Sequence, residues 1–480
     1  MMGVQILRVI SGDHERTALD FQKHYRHSIV YLMDTDLSFQ WSAYGRGGWP
    51  ILMLVDPNGT ILRKVDNMLE ADPEILNTLP QMKASPEAAS NKIVHGVDYS
   101  TATLRRSGEL DQPRTREYSS HLAATPDGRV FLVFTSWRGQ SSDVWLRIWD
   151  GQAWSHDQAV AGSDSDEYDG TVVTAPDNKV WFCWTSNAGS DQYNIFVTSL
   201  DRLTQGKRPI QITESDDDAM GGRMAFDAAG TLWITYYRWI PYYQWHKSLQ
   251  GYSRDKEVFV RTLRNETLSQ EVQVSPTDVP WYEDHTDPTI ALVGDQALIA
   301  WSWDYHRPQG YPPEPEAPTI FLRTVAADLT LGKPYHASGT TVDTVPILAA
   351  QSRTAWCAWD SLTLTGATAS KSLQLRRVNA TACEVAPLSL ATGLEHLCSP
   401  CFAPGPQDRT VLVWCQKKRG GHWELWRSDC NAQGQWSKPH PVVTTGNPRY
   451  CSAVFDSEGR LWVSYALDTE SGRLIRVQAF

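Results

Sequence analysis

Carboxylates and aromatic rings crowd the same short segments of this chain. Arg114, Arg116, Glu117 and Tyr118 form one such group, and Asp164, Asp166, Glu167, Tyr168 and Asp169 form a second. Asp216, Asp217 and Asp218 follow, then Trp281, Tyr282, Glu283, Asp284, His285 and Asp287, and finally Arg449 with Tyr450. Two further segments are long and rich in rings: Arg238, Trp239, Tyr242, Tyr243, Trp245, His246 and Tyr252, and Trp303, Asp304, Tyr305, His306, Arg307 and Tyr311. Ring faces stack on the C–H faces of sugars while carboxylates accept their hydroxyl protons, and the same groups hold cations or peptides. The ligand-binding candidates are therefore Arg116, Tyr118, Glu167, Tyr168, Asp169, Arg238, Trp239, Tyr242, Trp245, Glu283, Asp284, His285, Trp303, Tyr305, His306, Arg307 and Tyr450. Glu283, His285, Asp304 and His306 are the candidates for acid–base catalysis. Asp166, Asp169, Asp217 and Asp218 offer the oxygens that Ca2+ takes, but without EF-hand spacing. The plainer alternative is a hydrated acidic rim. No G-x-S-x-G, H-E-x-x-H or P-loop occurs.

These segments alternate with a repeated strand pattern. A short apolar run ending in an aromatic residue recurs seven times: Val130–Phe134, Val180–Trp184, Leu232–Tyr236, Leu298–Trp301, Ala355–Trp359, Val411–Trp414 and Leu461–Tyr465. Successive closing aromatics lie 50 to 65 residues apart, and turns such as Pro126-Asp127-Gly128 precede several runs. A second strand follows each, and six of these carry arginine near one register: Arg147, Arg261, Arg323, Arg376, Arg427 and Arg476. Such an arginine packs its stem across a sheet edge and keeps its head in water. Antiparallel meanders at this period predict a seven-bladed β-propeller over residues 89–480. The last blade would take its outer strand from about residues 91–107, which removes an open edge. In such a meander the unusual loops all fall on one face, and that asymmetry is the main functional signal.

The strand pattern resembles TolB-like and sialidase-like propellers, in which a segment like A-x-D-x-x-G-x-L-W-V-x-W leads each blade. The sialidase Asp-box has only a poorly spaced counterpart from Ser428-Asp429 to Trp436, so sialidase chemistry is not expected. Residues 1–88 read differently, with strands at Gln5–Ile10, Gly48–Val55 and Ile61–Val65 and helices at Glu15–Tyr25 and Pro73–Met82. This fragment resembles the second half of a TlpA/redoxin-type thioredoxin-like α/β domain, with Pro50 at the family's cis-proline position. The resemblance implies a CxxC at the start of an earlier helix, but no Cys occurs before Cys183. The one CxxC, Cys398-Ser399-Pro400-Cys401, lies where a propeller strand is expected, so redox activity is not expected.

The balance of charge, −11, and the lack of a basic run argue against nucleic acid as a partner. No apolar stretch is long enough to span a bilayer. Cys183, Cys357 and Cys415 sit within apolar strands and read as buried thiols. Without a visible signal peptide the default compartment is the cytoplasm, and a truncated start would make it periplasmic or extracellular. The expectation is a non-enzymatic module for carbohydrate, peptide or another protein, with no cofactor and Ca2+ as the candidate ion. A hydrolase or lyase at the funnel mouth is the first alternative, and a redoxin-type oxidoreductase lacking its CxxC half is the second.

Overall fold

The computed structural model describes residues 7–11, 30–34, 52–55, 61–65, 102–105 and 115–480, except 139–140, 191, 215–216, 247–250, 278–282, 306–318, 339–340, 366–367, 419–420 and 470–471. The chain divides into two compact units, Met1–Pro113 and Arg114–Phe480. In the first unit five strands form one sheet in the order Ile61–Val65, Leu52–Val55, Leu7–Ser11, Val30–Asp34 and Ala102–Arg105. Leu7–Ser11 and Val30–Asp34 run parallel, and Ala102–Arg105 pairs antiparallel with Val30–Asp34. The part of 91–107 that is described therefore belongs to this sheet. The expected helices and Pro50 lie outside the described residues, and nothing found supports the thioredoxin-like assignment.

The second unit is built almost entirely of antiparallel meanders. Each begins with an inner strand: Thr115–Ala124, Glu167–Thr174, Ala219–Phe226, Glu283–Val293, Val342–Gln351, the second half of Leu388–Pro404, and Arg449–Phe455. Its partner comes next, as in Thr115–Ala124 with Val130–Trp137, then a third strand and in most meanders a short outer one. Among the described residues the unit has one short helix, Leu200–Thr204, whose first turn is capped by the Ser199 hydroxyl accepting from Arg202 N–H at 3.2 Å.

Burial explains the strand chemistry. Val130–Trp137, sequence VFLVFTSW, is buried along nearly its whole length, because a middle strand has neighbouring sheets on both faces. Ser142–Trp149 alternates buried and partly exposed residues at first, as a strand with one covered face should. The apolar core is not central. It is divided into clusters, each joining two consecutive meanders, such as Phe131, Val133 and Val144 with Val172, Phe182 and Trp184. One cluster joins the last meander to the first, with Leu122, Leu132 and Phe134 against Trp462, Ala466 and Ile475. Trp149, Trp154 and Trp462 close that joint with ring centroids 5.3 to 5.9 Å apart. Beside it Gly472 and Arg473 pair in parallel with Thr115 and Arg116.

The arginines of the third strands tie neighbouring meanders at their outer edges. Arg323 donates from Nε to Gly332 O in its own sheet at 2.7 Å and from Nη1 to Val274 O in the preceding one at 2.8 Å. Arg376 reaches Ala337 O at 2.9 Å, and Arg261 reaches Ile212 O in the same manner. These three cross the edge as their register suggested, but their heads, expected in water, bond to backbone carbonyls instead.

Every inner strand carries a β-bulge at the same height. The register slips between Tyr118 and His121, Tyr168 and Thr171, Met220 and Arg223, Thr286 and Thr289, Thr344 and Ile347, Cys398 and Cys401, and Arg449 and Ser452. Within each slip one residue has positive φ: Ser119, Asp169, Gly221, Asp287, Val345, Ser399 and Tyr450. The next residue faces the preceding meander and must be small in two of them. A Cβ on Gly170 would stand 2.6 Å from Val144 Cγ1, and one on Gly222 would stand 2.6 Å from Cys183 Sγ. We expect Gly170→Ala to lower stability by about 1–3 kcal/mol through overpacking, measured by urea unfolding. An unchanged midpoint would show that the meanders do not pack this closely.

Candidate functional site

The bulges turn selected side chains of successive inner strands toward one another. Asp169 is the bulge residue of one meander, and Arg223 lies two residues after the bulge of the next. Arg223 Nη1 meets Asp169 Oδ2 at 3.0 Å and also donates to Gly222 O at 2.9 Å. His121 holds the matching post-bulge position of the first meander. Burial and the nearby Arg223 charge lower its pKa to about 4, against a smaller opposing pull from Asp169. Asp287, the bulge residue of the fourth meander, completes the group and accepts from Thr286 Oγ1 at 3.1 Å. It keeps solvent access, yet the protein packed around it raises its pKa, partly offset by Thr286, Arg223 and Lys256.

Tyrosines surround these charges. Tyr237 donates to Met220 Sδ at 3.5 Å, and its ring lies over Gly221, where a Cβ would come within 2.9 Å of it. Tyr168 meets Tyr193 edge to face at 5.3 Å. Burial and neighbouring acidic groups push both the Tyr168 and Tyr237 hydroxyls well above their ordinary range, so both stay protonated donors. The arrangement offers a balanced ion pair, a neutral imidazole, a carboxyl with a raised pKa and two phenols. Those groups can orient hydroxyls and carry a proton between a carboxyl and a ligand oxygen.

Four of the acidic residues singled out in the sequence, Glu117, Asp166, Asp218 and Asp284, perform another task, and Asn447 shares it. Asp166 accepts from Ser142 N at 3.1 Å, Asp218 from Tyr193 N at 2.8 Å and Asp284 from Lys256 N at 3.1 Å. Glu117 accepts from Ile475 N at 2.7 Å, and Asn447 from Trp423 N at 3.2 Å. In each case the side chain at the start of one meander satisfies a backbone N–H of the one before it. Part of the acidic rim is thus a set of clasps. Glu167 is buried and held by Ser163 and Ser186, and burial raises its pKa. Asp217 is buried as well. The four aspartates proposed for Ca2+ are divided between clasps, the Arg223 pair and the interior. Among the described residues no three His, Cys, Asp or Glu side chains are arranged to hold a metal ion.

Of the expected acid–base quartet, the structure places His285 in the interior. His285 has no exposure and accepts from Trp301 Nε1 at 2.8 Å, and burial lowers its pKa to about 3. In the register Glu283 opposes Tyr305 and Asp284 opposes Asp304, while His306 and Arg307 lie outside the described residues. Trp303 is buried against Phe321. The segment expected as a long aromatic loop is an extension of a hairpin, with Trp245 opposite Tyr252. Within it Arg238 pairs with Glu271 at 2.6 Å, and Trp239 carries Lys256 Nζ at 4.6 Å from its ring centroid. Arg116 and Tyr305, like Tyr242, Trp245 and Glu283, are placed by backbone register alone. Tyr450 is a bulge residue under the Arg473 guanidinium at 5.3 Å. Tyr168 and Asp169 are the sequence candidates that belong to the inner-strand group, and Tyr118 stands immediately before the bulge of the first meander. His121, Arg223 and Tyr237 were missed because they sit inside strands, and no spacing rule marks a residue that a bulge redirects.

No protein-family model matches the chain, and no curated protein sequence does either. Solved structures with a similar course include an ulvan lyase described as a new family of polysaccharide lyase, at 9% identity and TM-score 0.47, covering 76% of this chain and 97% of that one. A protein of unknown function from Dyadobacter fermentans gives 10% identity and TM-score 0.44, covering 77% and 95%. A Trypanosoma rangeli sialidase gives 11% and 0.39, covering 79% and 56%.

The two depressed histidines set a pH dependence. Each is neutral when folded and has an ordinary pKa near 6.5 when unfolded, so the unfolded chain takes up more protons as pH falls from 6.5 toward 4 or 3. Their contribution to stability is complete above 6.5 and is lost on acidification through that window. Asp287, with its raised pKa, works in the opposite sense. His285→Gln, which can still accept from Trp301, should therefore show a shallower loss of the urea midpoint between pH 6.5 and 4 than the parent. Parallel curves would exclude the effect.

Proposed function

We propose that the second unit is a seven-bladed β-propeller whose inner-strand group binds an uncharged, hydroxyl-rich ligand of the carbohydrate class. Support for the ring comes from core clusters that join successive meanders and also join the last to the first. The observation that carries the ligand class is the near balance of charge around Arg223. Asp169 neutralises Arg223, Asp284 neutralises Lys256 at 3.0 Å, and His121 is uncharged at neutral pH. Among the described residues of this group that leaves no surplus cation for an acidic sugar, but many donors and acceptors beside tyrosine faces. Hydroxyl groups satisfy such a site in both directions, as donor to Asp169 or His121 and as acceptor from Arg223 or Tyr237.

Binding of neutral and acidic oligosaccharides and of peptides should be compared on arrays and then by calorimetry. Neutral glycans should bind, and Arg223→Ala should weaken them about 10- to 100-fold, the effect of losing a charge-assisted hydrogen bond of roughly 1.5–3 kcal/mol. Preference for acidic glycans or peptides, or indifference to Arg223→Ala, would refute the assignment.

A second reading is favoured by one contrast, between Asp287 with its raised pKa and Asp169 held by a guanidinium. Two carboxyls in such unlike surroundings match the division between general acid and ionised carboxylate in glycoside hydrolysis. Chromogenic glycosides would then be turned over, and Asp287→Asn should lower kcat at least 100-fold while binding persists. Turnover that survives the substitution removes Asp287 from the chemistry.

A further inference from the structure

The CxxC segment takes on a different meaning in the folded chain. Residues three apart on a strand normally point to opposite faces of the sheet. The bulge between Cys398 and Cys401 inserts one residue, so both share a face: Cys398 lies opposite Cys415, and Cys401 lies opposite Val413. Cys451 of the next inner strand packs onto the same face and donates from Sγ to Ser399 O at 3.0 Å. Cys398, Cys401, Cys415 and Cys451 consequently belong to one cluster, in which Cys415 and Cys451 are buried and the other two are half-buried.

We infer that this cluster is a thiol redox site in which Cys398 and Cys415 form a reversible cross-strand disulfide. Directly opposed residues of antiparallel strands have Cα atoms about 4.5–5.5 Å apart, within the roughly 4.4–6.8 Å a disulfide accepts. The bond therefore needs no backbone rearrangement. The hydrogen bond to Cys415 and burial hold the Cys398 thiol well above its ordinary range. At Cys415 the upward push of burial is outweighed by hydrogen bonds from Cys398 and Cys451 and by the Arg449 charge, which bring it down to about 5 and place the thiolate on Cys415. Hydrogen peroxide is the oxidant. The Cys415 thiolate attacks one peroxide oxygen, the O–O bond breaks, and the departing hydroxide takes a proton to become water. The Cys398 sulfur then displaces the sulfenic oxygen, which leaves as a second water with the remaining protons. Two thiols are oxidised, and one peroxide is reduced to two waters. The CxxC pair itself is not the reacting pair, because Cys398 lies directly opposite Cys415 while Cys401 lies opposite Val413.

The test is peroxide treatment of the folded chain, alkylation of the remaining thiols after unfolding, and peptide mapping by mass spectrometry. Two of the eight thiols should become unreactive toward alkylation, with a cross-linked peptide pair joining Cys398 to Cys415, and dithiothreitol should restore both. Cys398→Ser should abolish the cross-link, and Cys401→Ser should leave it intact. Circular dichroism of both variants checks that they fold. A Cys398–Cys401 link, loss of the link in Cys401→Ser, or recovery of all eight thiols after peroxide would overturn the proposal.

Discussion

A strand that gains one residue against its partner must bend its backbone, and each inner strand here does so through a residue at positive φ. For non-glycine residues that conformation costs about 1–2 kcal/mol, and for Val345 and Tyr450 no local side-chain preference eases it. The bulge nevertheless recurs at one height in every inner strand. The shared consequence is geometric: the residue after the bulge is pressed toward the preceding meander, while the bulge residue itself, as Asp169, and the one two positions on, as Arg223, meet across neighbouring inner strands. Close packing between sheets and the convergence of His121, Asp169, Arg223 and Asp287 thus have one origin.

Packing between meanders is then secured at two radii. Near the inner strands, side chains such as Asp218 and Asp284 satisfy backbone N–H groups of the preceding sheet that would otherwise lack a partner there. At the outer edge, Arg323 and Arg376 span from their own sheet to a carbonyl of the preceding one. Both devices use charge-assisted bonds between elements far apart in sequence, and such bonds are stronger than neutral ones. They fix the angle between sheets, which apolar clusters alone would leave adjustable.

The meander repeat was legible because the middle strands, buried on both faces, must be apolar and end in a ring that fills the space between sheets. The arginine register was legible for the same reason, since its role is identical in each copy. The acidic loops misled, because hydration, ligand binding and backbone clasping all select the same carboxylates. His285 misled for a related reason: a histidine beside acidic residues looks reactive until the Trp301 indole is seen to hold it in the interior. The bulges were invisible. Ser119, Asp169, Val345 and Tyr450 share a backbone conformation and no side-chain type, so the signal that positions the site is absent from composition and spacing. In the first unit the strands at Leu7–Ser11, Leu52–Val55 and Ile61–Val65 fall where apolar runs suggested them.

What distinguishes the inner-strand group from the clasps is that its charges are balanced without being consumed by the backbone. Each clasp carboxylate named above spends an oxygen on an N–H of the preceding sheet. Asp169 instead faces Arg223, whose guanidinium has five N–H donors and gives only part of them to Asp169 and Gly222. His121 beside it stays neutral because a second positive charge near Arg223 would be both desolvated and repelled. If His121 were charged, the group would favour anions. Held neutral, it accepts a proton in a hydrogen bond, and on the proposed carbohydrate reading selection would rest on the geometry of hydroxyls rather than on charge.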